Sequence, residues 1–170
     1  MRAKPNIALI GPMGVGKTSV GRLLSVALKM GFFDFDAEIE ARAAMSINQI
    51  FHSLGEPHFR QLEHEICQKI PQMQGFVVST GGGVLLNPAN LPLLRSTCTI
   101  IHLSASPPAL QQRLEGDQTR PLLHNLGNIL SEREPLYKEA ADHTIKTDKK
   151  TPTACVEEIM LYWSIRDLNS

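Results

Sequence analysis

At 170 residues the chain is about one domain long, and a domain of that size can bury enough surface to fold without disulfide or metal staples. Its 17 Lys and Arg balance its 17 Asp and Glu, so it lacks the broad basic field that a general nucleic-acid binder or a polybasic membrane protein needs. Hydrophobic residues at 42% and charged residues at 20% exclude a disordered chain, and ordinary Gly and Pro usage excludes collagenous or low-complexity sequence.

No apolar run approaches the length of a membrane span. The basic start, Met1 to Asn6, precedes only Ile7-Ala8-Leu9-Ile10, too short for a signal peptide and better read as a strand. Cys67, Cys98 and Cys155 are odd in number, widely spaced and without a C-x-x-C, which predicts buried free thiols in a reducing cytoplasm. The histidines at 52, 58, 64, 102, 124 and 143 show no metal-ligand spacing, so no structural metal is expected.

Along the chain, short apolar runs alternate with longer periodic ones. After the Ile7–Ile10 strand, Lys17 to Met30 reads as a helix with Val20, Leu23, Leu24, Ala27 and Leu28 on one face. Phe32 to Asp36 reads as a second strand ending in acid. Ile39 to Gly55 holds a helical stretch with Ile47, Ile50, Phe51 and Leu54 in step, Ser46 as N-cap and Gly55 as stop. Pro57 to Ile70 is a further helix whose buried stripe is Phe59, Leu62, Ile66 and Ile70. Phe76 to Ser79 is a third strand running into Gly81-Gly82-Gly83, and Asn87 to Arg95 a short helical piece. Cys98 to Leu103 is a fourth strand, continuously apolar in the manner of a strand buried on both faces. Ser106-Pro107 opens a helix to about Glu115, and Asn128 to Ala141 is helical. His143 to Lys146 is a fifth strand, and Thr151-Pro152 opens a last helix that buries Val156, Ile159, Met160 and Trp163. Five strands interleaved with helices predict a single α/β domain, residues 1–170, around a parallel sheet. Two segments read as excursions from that core: about 34–63, and the polar stretch about 114–126.

Gly11-Pro12-Met13-Gly14-Val15-Gly16-Lys17-Thr18 fits G-x-x-x-x-G-K-[ST]. Its four constrained positions match by chance roughly once in 30,000 positions, and here the motif follows a strand and opens a helix, as a phosphate-binding P-loop must. Backbone N–H groups of such a loop form a nest for phosphate oxygens, and the following helix adds its positive end. Lys17 would reach the β- and γ-phosphates, and the Thr18 hydroxyl would bind Mg²⁺. The third strand ends in Ser79-Thr80-Gly81, without the acid that many P-loop proteins set beside the metal. Asp34 and Asp36 supply acid elsewhere. In an extended segment their i,i+2 spacing puts both on one side, one for the metal's water shell and one for an acceptor hydroxyl.

Three arginines stand in unusual settings: Arg60 after Phe59, Arg120 before Pro121, and Arg133 between Glu132 and Glu134. Arginine forks suit carboxylate and phosphate. Spacing alone leaves open a surface charge or a local ion pair, Arg133 with Glu132 or Glu134 above all.

Taken together these motifs resemble shikimate kinase over nearly the whole chain: the P-loop, Asp34-Phe35-Asp36, Phe59-Arg60-Gln61-Leu62-Glu63, Ser79 to Gly83, Arg120-Pro121-Leu122-Leu123 and Arg133-Glu134-Pro135-Leu136-Tyr137. The resemblance implies a three-layer P-loop NTPase fold with a central five-stranded parallel sheet flanked by helices. It implies transfer of the γ-phosphoryl of ATP, with Mg²⁺, to the 3-hydroxyl of shikimate, a step toward chorismate and the aromatic amino acids. It also implies roles. Gly14, Val15, Gly16, Lys17, Thr18 and Ser19 bind ATP; Thr18 and Asp34 serve the metal; Asp36 meets the substrate hydroxyls as candidate base. Arg60 and Arg133 grip the carboxylate, the Gly82 N–H meets substrate, and Glu63 orients Arg60. Arg120 reaches the phosphates from a lid at 114–126, while Arg113 and Lys150 lie toward adenine. A cytoplasmic monomer with no nucleic-acid or membrane partner is expected.

Two departures stand out. Ala43-Ala44 replaces a glycine the family often has before the next helix, and lysines at 149 and 150 replace an adenine-side arginine, which stacks better. The nearest competing reading is another small-metabolite P-loop kinase, such as a gluconate kinase. Arg60, Arg133 and the triple glycine discriminate against it. A GTPase-type switch would need an N-K-x-D element, which is missing, and no second nucleotide signature favours an adenylate-kinase-like enzyme.

Overall fold

The computed structural model describes residues 6–115 and 125–168, the last three of these by backbone alone. The strands are β1 (Asn6–Ile10), β2 (Gly31–Asp34), β3 (Phe76–Ser79), β4 (Cys98–Ser104) and β5 (His143–Lys146). They form one sheet in the order β2-β3-β1-β4-β5, and every pairing is parallel. The helices are α1 (Lys17–Leu28), α2 (Phe35–Ala43), α3 (Ile47–Ser53), α4 (Gly55–Cys67), α5 (Asn90–Thr97), α6 (Pro107–Leu114), α7 (Leu126–Ala140) and α8 (Pro152–Leu168).

Strand periodicity builds the layers. On β1, Ala8 and Ile10 face one core, with Ile39, Ile50, Phe59, Ile66 and Leu94 from α2 to α5 and Tyr137 from α7. Ile7 and Leu9 face the other, with Val20 and Leu24 of α1, Leu110 of α6, and Cys155, Val156, Ile159 and Trp163 of α8. All four of these β1 side chains are fully buried, and Ile7, Leu9 and Ile10 are each worth about 1.5–3 kcal/mol of transfer free energy. A strand covered on both faces must be apolar throughout, which is why β1 and β4 read as continuous runs.

Parallel pairing brings the carboxyl ends of the strands to one edge of the sheet. There Asp34 of β2 is in register with Ser79 of β3, and Ile10 of β1 with His102 of β4. Because β1 is flanked by β3 on one side and β4 on the other, this edge holds the crevice where α/β sheets bind ligands.

Among the boundaries that differ from the sequence expectation, three lie on the acceptor side of the sheet. β2 stops at Asp34, because the Asp34 carboxylate accepts from the Ala37 N–H at 3.2 Å and starts α2. Gly55 does not stop a helix; Leu54 closes α3, and Gly55, at φ 80°, turns the chain straight into α4. That helix ends at Cys67, with Ile70 buried in a following 3₁₀ turn. The N-cap at Ser46 is found as expected, as a full capping box with Gln49. Of the expected lid, residues 116–124, Arg120 among them, lie outside the described residues.

Candidate functional site

The loop between β1 and α1 has positive φ at Gly11, Gly14 and Gly16. At Gly14 a side chain would also drive into Leu114, its Cγ only 2.8 Å from a Cβ. Gly16 occupies the N-cap of α1 in the left-handed region and has no side chain to cap the helix, and no acid follows in the first turn. The helix start is therefore left to face an anion with its backbone N–H groups. Lys17 lies over the loop, its Nζ donating to the carbonyls of Gly11 at 2.7 Å and Pro12 at 2.9 Å.

The two aspartates take different places, and the helix start at residue 35 is the cause. Asp34, at the strand end, accepts from the Thr18 hydroxyl at 2.8 Å through Oδ2. Ser79 Oγ lies 3.4 Å from the same hydroxyl. This cluster of hydroxyl and carboxylate oxygens is the hard donor set Mg²⁺ favours, so the residues present fit that ion. Asp36 sits instead on the first turn of α2, and lines both of the cavities described below.

On α4, Arg60 is gripped from two sides. Its Nη1 donates to Glu63 Oε2 at 2.8 Å, while Nε and Nη2 donate to Glu56 Oε1 at 3.2 and 3.0 Å. Three of the five guanidinium N–H donors are thus engaged, and two remain for a ligand. Phe59 lies beneath, 5.0 Å from ring centroid to Cζ. Glu63 is 1% exposed. Burial raises its carboxyl above the usual range, with Arg60 pulling the other way. Burial works against the Arg60 charge as well, but Glu63 and Glu56 outweigh it and raise that pKa.

This pair explains the triple glycine. A Cβ on residue 81 would overlap Glu63 Oε1, and one on residue 83 would overlap the Arg60 guanidinium. The middle glycine lies against the P-loop, where a Cβ would be 3.3 Å from the Met13 nitrogen.

Arg133 and Tyr137 stand one turn apart on α7 and so share a face. Arg133 is 6% exposed, and its Nε has no hydrogen-bond partner. Glu134 turns away from it, toward Lys138 at 3.5 Å and His102 at 3.9 Å.

Two adjoining cavities result. The first, about 350 Å³, takes Arg60, Arg133, Phe51, Phe59 and Glu40, together with Asp36 and Gly82. The second, about 250 Å³, takes Gly14, Gly16, Lys17, Thr18, Ser19 and Ser79, again with Asp36 and Gly82. One cavity sets two guanidinium groups among apolar side chains, the other gathers loop glycines, a lysine and hydroxyls, and Asp36 and Gly82 stand at their junction.

A third, smaller cavity of about 170 Å³ joins Gly14, Val15 and Ser19 to Arg113, Thr147 and Lys150. Arg113 Nη1 donates to Thr147 Oγ1 at 2.9 Å and Nη2 to the Thr147 carbonyl at 2.8 Å, so this arginine ties α6 to the start of the loop before α8. Lys150 directs its ammonium to Glu158.

Several lining residues gave no sequence signal of function. Ser46 reads as a helix cap yet borders the first cavity, as do Ile47, Asn48 and Phe51 beside it. Glu56 acts on Arg60 from one turn away on α4, while Thr147 and Tyr137 act on Arg113 and Gly82 through hydrogen bonds between elements.

A family model described as shikimate kinase matches residues 13–163. A shikimate kinase of Dehalococcoides mccartyi is 41% identical over 164 residues, covering 94% of this chain and 93% of its own. Among solved structures, shikimate kinase from Acinetobacter baumannii in complex with shikimate superposes with a TM-score of 0.91 at 34% identity, covering 97% of this chain and 96% of that one. Shikimate kinase from Aquifex aeolicus superposes at 0.85 with 35% identity, covering 97% of this chain and 99% of that one. With a P-loop, a paired arginine cavity and an acid at their junction, the chain belongs to the shikimate kinase family.

Proposed function

We infer that this chain catalyses ATP-dependent phosphorylation of the 3-hydroxyl of shikimate, giving shikimate 3-phosphate and ADP on the route to the aromatic amino acids. The observation that carries this reading is the pair of cavities that meet at Asp36 and Gly82. Phosphoryl transfer demands little more than an in-line approach of acceptor to phosphorus and neutralisation of charge, and two abutting pockets provide the first.

In this reading shikimate lies in the larger cavity. Arg60 and Arg133 hold its carboxylate, the two retained N–H donors of Arg60 meeting it directly. Carboxylate at one end fixes the register of the hydroxyl at the other, beside Asp36. The hydroxyl oxygen bonds to the γ-phosphorus, the bond from that phosphorus to the bridging oxygen breaks, and ADP leaves. The hydroxyl proton passes to Asp36 or is held by it in a hydrogen bond. The Gly82 N–H orients the acceptor. Lys17, the loop amides of Gly14 to Ser19, and Arg120 from the lid neutralise the phosphates, while Arg113 and Lys150 border the adenine side. Thr18 and Asp34 would hold Mg²⁺, which when bound would neutralise charge on the transferring phosphates.

We also read residues 1–170 as one domain, with 34–63 as the acceptor-binding segment and 114–126 as the lid. None of the described helices is long and apolar enough to cross a membrane. Three free cysteines, all buried, favour a cytoplasmic enzyme. We read the enzyme as a monomer with ATP and shikimate as its small-molecule partners.

The test is ADP release with Mg·ATP against shikimate, quinate and gluconate. Turnover with shikimate alone, abolished by Lys17→Ala, is the expected result. Preference for gluconate, or turnover that survives Lys17→Ala, overturns the reading.

A further inference from the structure

The glycine turn that presents the Gly82 N–H has no side chains of its own to hold it. Its outer carbonyls are satisfied locally: Gly81 accepts from the Val84 N–H at 3.2 Å and Gly83 from the Leu86 N–H at 2.9 Å. The carbonyl of Gly82 has a different partner, the hydroxyl of Tyr137, which arrives from α7, 55 residues along the chain. Three successive glycines are the most freely moving backbone a chain can have, so whatever fixes this carbonyl fixes the peptide plane and the direction of the neighbouring amides.

We propose that Tyr137 is a positioning residue for the reaction: its hydroxyl clamps the Gly82 carbonyl while its side chain stands one turn from Arg133 on the same face of α7, so that the glycine turn and one carboxylate-binding arginine form a single rigid acceptor face. This proposal rests on the reading of the larger cavity as the shikimate site.

Four observations carry it. Tyr137 is 1% exposed, and its side chain can settle in few other ways. Its ring is backed by the ring of His102, with centroids 5.2 Å apart and planes at 32°. Arg133, one turn away on the same face of α7, is itself buried, so its guanidinium is kept on the protein side rather than in water. Gly82 borders both cavities and abuts the P-loop, so a shift there is felt by the acceptor and by the transferring group together. Burial pushes the phenol up to about 12, so the hydroxyl keeps the proton it donates across the working range of pH.

Tyr137→Phe removes one oxygen and keeps the ring. With the full chain and Mg·ATP, the shikimate KM is expected to rise about tenfold and kcat to fall, while the ATP KM stays within about twofold. A merely structural tyrosine would lower the melting temperature and move both KM values alike, and that outcome overturns the proposal, as does an unchanged shikimate KM. A cycle with Arg133→Lys adds a second criterion: a shared clamp makes the two losses less than additive, and strict additivity counts against it. A ligand-free readout stands apart from any substrate. The carbonyl ¹³C resonance of Gly82 should move in Tyr137→Phe, and more than those of Gly81 and Gly83, because only that carbonyl loses its donor. An unmoved Gly82 carbonyl would refute the clamp even if shikimate kinase activity is found. A moved carbonyl in a chain inactive on shikimate would leave the clamp standing and remove the assigned substrate.

Discussion

Gly83 lies so close to Arg60 that its Cα hydrogen faces the guanidinium directly, and a methyl group there would occupy the guanidinium's own space. The backbone of residue 83 is at φ −109°, open to any amino acid, so nothing but this contact demands glycine. Gly83→Ala is therefore expected to fold and to displace Arg60. A misplacement of about 1 Å can cost on the order of a hundredfold in rate. Steady-state kinetics should show a fall of about that size in kcat/KM for shikimate, with the ATP KM unchanged. An unaffected shikimate KM would mean that Arg60 does not hold the acceptor.

The divergence of the two aspartates separates their variants. Asp34 meets Thr18 and Asp36 meets the cavity junction. Asp34→Asn should raise the Mg²⁺ concentration for half-maximal rate with little change in shikimate KM. Asp36→Asn should lower kcat by about 10²–10⁴-fold with the Mg²⁺ requirement intact. A magnesium titration of each variant checks both; identical titrations would void the separation.

Arg133 is buried beside its tyrosine and lines the acceptor cavity alone. Charge-assisted pairing with a carboxylate in such a site is strong. Arg133→Ala should raise the shikimate KM at least about tenfold more than the ATP KM. Equal effects on the two substrates would remove this residue from the carboxylate site.

His102 is fully buried, and neither ring nitrogen has a hydrogen-bond partner. Burial lowers its pKa below the usual 6.5, opposed by Glu134 and assisted by Lys138 and Lys17. The unfolded chain therefore takes up this proton before the folded one does. The stability that comes from a neutral His102 is complete above about pH 6.5 and is lost as pH falls toward its folded value. Melting temperature should drop on acidification from pH 7 to 5, and His102→Asn should flatten that drop. Parallel curves for the two proteins would contradict it.

Ala44 closes α2 at φ 50°, ψ 34°, the left-handed region where a Cβ is costly. Ala44→Gly is expected to stabilise the chain by about 0.5–1 kcal/mol, or about 2 °C in melting temperature. A lower melting temperature would show the strain to be absorbed elsewhere.

How much of this was legible from residues alone depended on whether the cause was local. The strands at 76–79 and 143–146 were read at their true ends, and β1 and β4 to within a residue; for β1, β3 and β4 the cause is burial on both faces, which forces largely apolar runs. The P-loop was legible because phosphate binding demands glycine and lysine at fixed spacing within a few residues. The strand ending at Asp34 is two residues shorter than its acidic run suggests, since Asp34 is also the N-cap of α2, a local i,i+3 bond that strand periodicity does not reveal.

The chain's neutral charge, its α/β alternation and its nucleotide loop were thus determined by sequence, through composition, periodicity and short-range backbone demands. Only the tertiary structure decided what Arg60 and Arg133 face, why residues 81 to 83 must all be small, and which carbonyl Tyr137 holds. Each of those depends on groups from different elements meeting at one edge of the sheet, at distances that sequence spacing does not encode.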